Sequence, residues 1–255
     1  MNISEKYKII KPLTGGKTES IPYLVKSKKN NKKYIIKVSP FKKRYTNEIK
    51  IMLKLNSLKN KNFIRLNEYG ITEDDKIYYI MDFIDGYPLD EVIEKKMIKS
   101  PRKWKNIMHK VIKAYEDASK NIDFEHFDIL PGNIMLKKKT FEPVIIDFNA
   151  SNAGNIQQDK FYKIIYKSMR KTFNRVSKNK SIYHRIIPDD EYSKKIKKLS
   201  NNNVEYRLIL SIYNYGDRVM FGGKNQILLK NKDIEYLNKT KSNTLKWKYL
   251  SNLIK

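Results

Sequence analysis

Alternating apolar and polar residues occupy much of the first eighty positions and predict short β-strands. The alternation runs through residues 7–13, 23–26 and 33–38, and again through residues 64–70 and 76–83. Glycines, short polar stretches and one acidic turn separate these runs. The sequence therefore predicts five strands in its first third.

Helical periodicity appears once between these strands and again after them. Residues 46–58 predict a helix with Ile49, Met52, Leu53 and also Leu55 on its apolar face. Residues 104–122 place apolar side chains at helical spacing and predict a long helix that faces the core. The apolar positions of this second helix are Trp104, Ile107, Met108, Val111, Ile112, Tyr115, Ala118 and Ile122.

The change from strands to helices falls at residues 85–88, whose sequence Asp-Gly-Tyr-Pro breaks both patterns and is our candidate linker. A β-rich half followed by a helical half predicts an α+β fold with two lobes. We expect an N-lobe of residues 1–84 and a C-lobe of residues 85–255. Late in the C-lobe, residues 206–215 and 227–237 resemble packed elements.

Composition narrows the kinds of site that the chain can build. The absence of Cys excludes disulfides, Cys-ligated metals and a thiol nucleophile, and three dispersed His argue against a His-based metal site. Hydrophobic residues make up 40% of the chain and aromatic residues 12%, which is typical of a packed domain rather than a disordered basic tail. No segment is apolar for long enough to span a bilayer, so we expect a soluble protein.

The formal charge of +27 raises the possibility of nucleic-acid binding, because Lys and Arg neutralise phosphates. The basic residues are mostly Lys and are scattered through every segment of a chain rich in Asn, Ile and Tyr. An AT-rich genome would produce this composition, and we favour that explanation over a nucleic-acid partner. The excess per residue is larger after residue 150, which favours an acidic partner over a basic one.

The most specific pattern lies between residues 126 and 148. His126 and Asp128 are followed at short spacing by Asn133, and Asp147 comes later, across a predicted hairpin. An Asp and an Asn beside a Pro-Gly pair would by themselves indicate only a turn. The ordered set, however, resembles two loops of the protein kinase-like superfamily. Residues 126–133 resemble the catalytic loop, and residues 147–149 resemble the metal-binding loop, called the metal loop below.

This resemblance implies an ATP-dependent phosphotransferase that uses Mg²⁺. Phosphoryl transfer mainly requires that groups be positioned and charge be neutralised. Asp128 would accept or orient the proton of the acceptor hydroxyl, and Asn133 and Asp147 would offer oxygen ligands to Mg²⁺. His126 would brace the catalytic loop by packing and hydrogen bonding.

Upstream residues extend the resemblance to the nucleotide-binding half of the family. Lys37, in the run Tyr-Ile-Ile-Lys-Val, resembles the lysine that grips the α- and β-phosphates, although a solvated edge lysine would look the same. Glu48, at the start of the predicted helix, resembles the ion-pair partner of that lysine. Met81 would back the adenine pocket, and the backbones of Asp82 and Ile84 would hydrogen-bond the base.

Several positions depart from the family pattern. The phosphate-binding loop is represented only by Gly15 and Gly16, which would otherwise suggest an ordinary turn. Phe127 replaces the arginine that reads a phosphorylated activation loop, and Leu130 replaces a lysine that is usual in Ser/Thr kinases. Asn149 replaces the glycine of the metal loop, and Asn tolerates a left-handed backbone better than most residues.

The segment after the metal loop is short and lacks the Ala-Pro-Glu motif that precedes substrate docking in protein kinases. Asp159 resembles the aspartate that anchors the catalytic loop from below. A similar truncation is seen in aminoglycoside and choline kinase-like proteins and in atypical kinases of large DNA viruses. The resemblance covers residues 5–170, and we expect a cytoplasmic protein, in the host cytoplasm if the source is viral.

Three functional hypotheses follow. The first is a divergent serine/threonine protein kinase with an unknown protein acceptor. The second is a small-molecule kinase of the aminoglycoside or choline kinase type, suggested by the missing docking segment. The third is a basic binding module that keeps the kinase fold without efficient catalysis, suggested by the poor glycine loop.

Overall fold

The computed structural model describes residues 3–13, 22–40, 42–126, 128–148, 151–153 and 204–254. The five predicted strands are confirmed and form one antiparallel sheet in the order β1-β2-β3-β5-β4. The strands are β1 (Tyr7–Pro12), β2 (Tyr23–Ser27), β3 (Lys33–Ser39), β4 (Leu66–Ile71) and β5 (Ile77–Asp82). A short helix, α1 (Ile3–Lys6), precedes the sheet.

Helix α2 (Lys42–Ser57) lies between β3 and β4 and begins four residues before the predicted start. Its buried face includes Ile51, which the prediction omitted, whereas Leu53 is 41% exposed and its predicted place on the apolar face is wrong. The reason is that the face is centred on Glu48, which is itself buried. Successive residues turn by about 100° around a helix, so Ile51 shares this face and Leu53 lies outside it.

The chain after the sheet is mainly helical, which confirms the two-lobe α+β fold. It contains β6 (Gly86–Pro88), α3 (Leu89–Glu94), α4 (Pro101–Ile122), β7 (Phe124–His126), a 3-10 turn (Pro131–Asn133), β8 (Ile134–Lys137), β9 (Pro143–Ile145), β10 (Ser151–Ala153), α5 (Val204–Phe221), α6 (Asn231–Lys239) and α7 (Asn243–Ile254). Within the described ranges no helix is both long and apolar enough to cross a bilayer.

The long helix α4 confirms the predicted 3.6-residue pattern and forms the centre of this half. Its start is capped by the Ser100 hydroxyl, which accepts a hydrogen bond from the Lys103 backbone N–H at 3.3 Å. Its buried face receives α5 and α7. The Trp104 indole donates to the Tyr213 carbonyl on α5 at 3.1 Å, and Trp247 of α7 stacks on Tyr115 at 5.0 Å.

The candidate linker at residues 85–88 forms a strand from Gly86 onward, so the predicted break in regular structure there is wrong. Gly86 begins β6, which pairs with β8, so the Asp-Gly-Tyr-Pro stretch is held by a sheet. A Cβ atom on Gly86 would lie 2.2 Å from the carbonyl oxygen of Leu136. Glycine is therefore needed here because β6 and β8 lie very close together, and not because the chain must be flexible.

The two halves are joined by backbone hydrogen bonds and by a shared core. The N–H of Ile64 donates to the Ile145 carbonyl at 3.0 Å, and the Ile145 N–H donates to the Asn62 carbonyl at 2.7 Å. The inner face of the sheet, α2 and the later helices contribute to one continuous hydrophobic cluster. Ile64, just before β4, is therefore bonded to the end of β9, the strand that leads to Asp147.

Replacing Gly86 by Ala should lower the free energy of unfolding by about 1–3 kcal/mol, since the added methyl forces the paired backbones apart. Gly132→Ala is the matched control, because its nearest contact would be an ordinary 3.6 Å approach to Asp90 Oδ2. Chemical denaturation of both variants measures the difference. Equal stability of the two variants would contradict the close-approach explanation.

Candidate active site

Lys37 lies on the inner face of the sheet and is shared between two carboxylates. Strand β3 places it opposite Tyr79 of β5, and its ammonium nitrogen lies 3.6 Å from Glu48 Oε1 and 4.0 Å from Asp147 Oδ1. Both distances exceed the 2.7–3.2 Å range of a good hydrogen bond. The arrangement therefore presents a cation between α2 and the metal loop without a tight bond to either carboxylate.

Glu48 is a buried carboxylate with partners from several elements. The Tyr79 hydroxyl donates to its Oε2 at 2.5 Å, and the Phe148 backbone N–H donates to its Oε1 at 3.4 Å. Burial raises the pKa of Glu48, and the attraction of Lys37 together with these two hydrogen bonds opposes that rise. The predicted Lys37–Glu48 pair is thus brought together, with Tyr79 as a partner that the sequence did not indicate.

His126 links helix α4 to the metal loop through both of its ring nitrogens. Its Nε2 lies 2.8 Å from the Asp147 carbonyl, and its Nδ1 lies 2.8 Å from the Tyr115 hydroxyl. A carbonyl only accepts, so Nε2 carries a proton, and in the neutral ring Nδ1 accepts from the Tyr115 hydroxyl. Burial lowers the pKa of His126, which favours this neutral form.

Asp147 adopts the left-handed backbone conformation, with φ of 62°. Such a conformation is uncommon for residues other than glycine and marks a place where surrounding contacts hold the chain. Here the contacts on either side are the His126 hydrogen bond to the Asp147 carbonyl and the Phe148 N–H bond to Glu48. The same two bonds therefore set the direction of the metal loop.

The side chains of Asp128 and Asn133 meet across the 3-10 turn. The Asn133 amide nitrogen donates to the Asp128 carbonyl at 2.9 Å and to Asp128 Oδ2 at 3.0 Å. The Ile146 N–H donates to the Asn133 carbonyl at 2.9 Å, which brings the catalytic loop next to Asp147. The Asn133 amide oxygen and the Asp147 carboxylate are hard oxygen donors of the kind that Mg²⁺ accepts beside substrate phosphates.

The predicted hinge residues lie at and just after the end of β5. The Asp82 N–H donates to the Arg65 carbonyl at 3.1 Å, so the backbone contact with the base that we predict for Asp82 would use its carbonyl. Its side chain is also held, by Asn67 at 2.8 Å. Ile84 follows the end of β5 and packs at the edge of the core.

Five residues of the sequence-based interpretation lie outside the described residues: Gly15, Gly16, Phe127, Asn149 and Asp159.

Glu205 is a buried residue beneath the catalytic loop that sequence reasoning missed. It lies at the start of α5, and its carboxyl group accepts a hydrogen bond from the His126 backbone N–H. Its Oε1 is buried and has no hydrogen-bond partner among the residues that the structure describes. Burial and the nearby Glu125 raise the pKa of Glu205 to about 8, while Lys246 opposes the rise. An isolated Glu far from any motif carries no signal in the sequence.

The raised pKa predicts pH-dependent stability. Folded Glu205 keeps its proton up to about pH 8, whereas the unfolded chain releases it near the ordinary value of 4.5. The free energy of unfolding should therefore fall between these pH values. Glu205→Gln cannot ionise and still accepts the hydrogen bond from the His126 N–H. Across this pH window its free energy of unfolding should exceed that of the wild type by up to about 5 kcal/mol.

Denaturation at pH 5, 6, 7 and 8 measures this difference. Glu94→Gln is the control, since Glu94 is exposed and its removal should leave the wild-type pH dependence in place. Parallel curves for Glu205→Gln and wild type would contradict the assignment of a proton to Glu205.

Comparison with known proteins agrees with this geometry. Residues 7–187, more than half of the chain, match the family model described as the protein kinase domain. The serine/threonine-protein kinase PrkC of Bacillus subtilis (strain 168) is 29% identical over 142 residues, covering 52% of this chain and 21% of the relative. A probable myosin light chain kinase of Dictyostelium discoideum is 29% identical over 150 residues, which cover 56% of this chain and 45% of the relative.

Myosin light chain kinase A of Dictyostelium discoideum is 30% identical over 141 residues, which cover 52% of this chain and 46% of the relative. The chain thus spans less than half the length of each of these three relatives. The family match includes the strand of Lys37, helix α2, the catalytic loop and the metal loop. The chain belongs to the protein kinase domain family.

Proposed function

We propose that the chain is an ATP-dependent serine/threonine protein kinase. The observation that carries the proposal is the convergence of Lys37, Glu48 and Asp147, in which one ammonium lies within 4.0 Å of two carboxylates. An ammonium beside a buried carboxylate is suited to bind nucleotide phosphates, because the carboxylate sets the direction of the positive charge. The serine/threonine kinase named among the relatives supports the acceptor class.

ATP and Mg²⁺ would occupy the cleft between the sheet and the catalytic loop. Lys37 would contact the α- and β-phosphates, and the carbonyl of Asp82 and the backbone of Ile84 would bind the base, with Gly15 and Gly16 completing the phosphate loop. Asn133 and Asp147 would hold Mg²⁺. The metal would neutralise the developing charge on the phosphate oxygens.

Asp128 would serve the acceptor hydroxyl. The acceptor oxygen forms a bond to the γ-phosphorus as the bond to the β–γ bridging oxygen breaks, ADP leaves, and the hydroxyl proton passes to Asp128. Asn133 keeps Asp128 in place by donating to its carbonyl and its carboxylate.

The acceptor and the division of the chain are parts of the same proposal. The surplus of Lys and Arg after residue 150 favours an acidic acceptor segment over a basic one. We propose a lobe boundary between residues 84 and 85, which is supported by the end of β5 at Asp82 and by the pairing of β6 with β8. Leu130, in place of the usual lysine, supports an atypical member of the family, similar to the short kinases of large DNA viruses.

Lys37→Met should lower kcat/KM for ATP by about 100-fold or more, since it removes a positive group from the phosphate site. Lys33→Met is the matched control, because Lys33 lies on the same strand but is exposed. Its activity should stay within twofold of wild type. The measurement is the transfer of radiolabel from Mg-ATP to acidic and basic Ser/Thr peptides, and equal losses in both variants would contradict the role of Lys37.

Asp128→Asn should lower kcat by about 100- to 10,000-fold, which is the usual effect of losing a general base. Nucleotide binding, followed as a thermal shift with Mg-ATP, should remain. Asp74→Asn, on an exposed turn, should keep full activity.

If the wild type transfers no more radiolabel to protein than the Asp128→Asn variant does, protein kinase activity is refuted. ATP consumption stimulated by a metabolite would then indicate a small-molecule kinase, and steeply salt-dependent DNA or RNA binding would indicate a binding module.

A further inference from the structure

The last helix of the described chain reaches the strand that leads into the catalytic loop. Asn243, at the start of α7, donates through its amide nitrogen to Glu125 Oε1 at 2.9 Å. Glu125 lies in the middle of β7, directly before His126. The Tyr206 hydroxyl donates to Asn243 Oδ1 at 3.0 Å, which fixes the amide in the orientation that Glu125 requires.

Lys246, one turn further along α7, brings a positive charge to the same place. It is 4% exposed, and burial lowers the pKa of its ammonium, which the carboxyl groups of Glu125 and Glu205 oppose. Its nitrogen also lies 5.5 Å from the centre of the Tyr206 ring. A buried lysine is strongly unfavourable unless opposite charges face it. The carboxyl group of Glu125 on β7 therefore helps to stabilise the buried ammonium of Lys246 on α7.

An aromatic contact connects α7 to His126 by a second route. Trp247 packs between Tyr206, at 4.6 Å between ring centres, and Tyr115, at 5.0 Å. The Tyr115 hydroxyl donates to His126 Nδ1, and His126 in turn binds the Asp147 carbonyl. Helix α7 thus contacts β7 directly and reaches the His126 ring through Tyr115.

We infer that helix α7 is a positioning element for catalysis, in which Asn243 and Lys246 hold β7 through Glu125. The helix lies beyond residues 7–187, the part that matches the protein kinase family, so this chain uses residues outside the matched part to brace its catalytic loop. Neither residue touches the reacting groups, and both act through β7. The consequence for turnover rests on the proposed function, whereas the bracing itself does not.

Amide hydrogen exchange at pH 7 tests the bracing without any activity. Lys246→Met should accelerate exchange at least tenfold in peptides that span β7 and the Pro131–Asn133 turn, while β2 and β3 remain as in wild type. Lys248→Met is the matched control, because Lys248 lies on the same helix and is exposed. This control should exchange like wild type in every peptide.

The double variant Glu125→Gln/Lys246→Met separates bracing from general damage. It removes both charges at a pH at which Glu205 is largely protonated, so exchange around β7 should return to within about threefold of wild type. Unchanged exchange at β7 in Lys246→Met would overturn the inference. So would equal acceleration in β2 and β3, because that result would indicate only a loss of overall stability.

Kinetics test the consequence for catalysis. Well below the melting temperature, Lys246→Met should lower kcat about tenfold with KM for ATP within twofold of wild type, since the nucleotide site is elsewhere. The double variant should recover most of the loss, and Lys248→Met should lose nothing. A wild type without phosphotransfer refutes the proposed function, and the exchange result then decides the bracing alone. Accelerated exchange with an unchanged kcat would limit α7 to a structural role.

Discussion

The buried carboxylate of Glu48 is the constraint on which the active-site geometry depends. A carboxylate that is 1% exposed is unfavourable unless charges and hydrogen-bond donors surround it. Its partners come from β3 through Lys37, from β5 through Tyr79 and from the metal loop through the Phe148 N–H. Three separate segments must therefore be in place together, so the sheet, α2 and the metal loop form one cooperative unit.

His126 has a comparable role on the side of the catalytic loop. Its ring binds Tyr115 of α4 and the carbonyl of Asp147, and its backbone binds Glu205 of α5. In the neutral ring, Nε2 donates to the Asp147 carbonyl and Nδ1 accepts from the Tyr115 hydroxyl. Burial lowers the pKa of His126 and so favours this neutral form.

Features that depend on local periodicity were predicted well from the sequence, whereas features that depend on contacts between distant residues were not. Strands and the long helix α4 were predicted well, because period-2 and period-3.6 patterns record which face of an element meets the core. The face of α2 was misjudged, because Glu48 was not expected at the centre of a buried stripe and Leu53 was placed there instead. The glycine at position 86 was interpreted as a break, although it permits the close pairing of β6 with β8.

The sequence by itself determined the fold class, most of the elements and an ordered set of polar residues: Lys37, Glu48, Asp128, Asn133 and Asp147. Only the tertiary structure decided which groups compensate them. Tyr79 beside Glu48, Glu205 beneath His126 and α7 against Glu125 are contacts between residues that lie 31 to 118 positions apart. Such contacts leave no periodic trace in a sequence, because they depend on how separately formed elements pack and on the need to pair every buried charge.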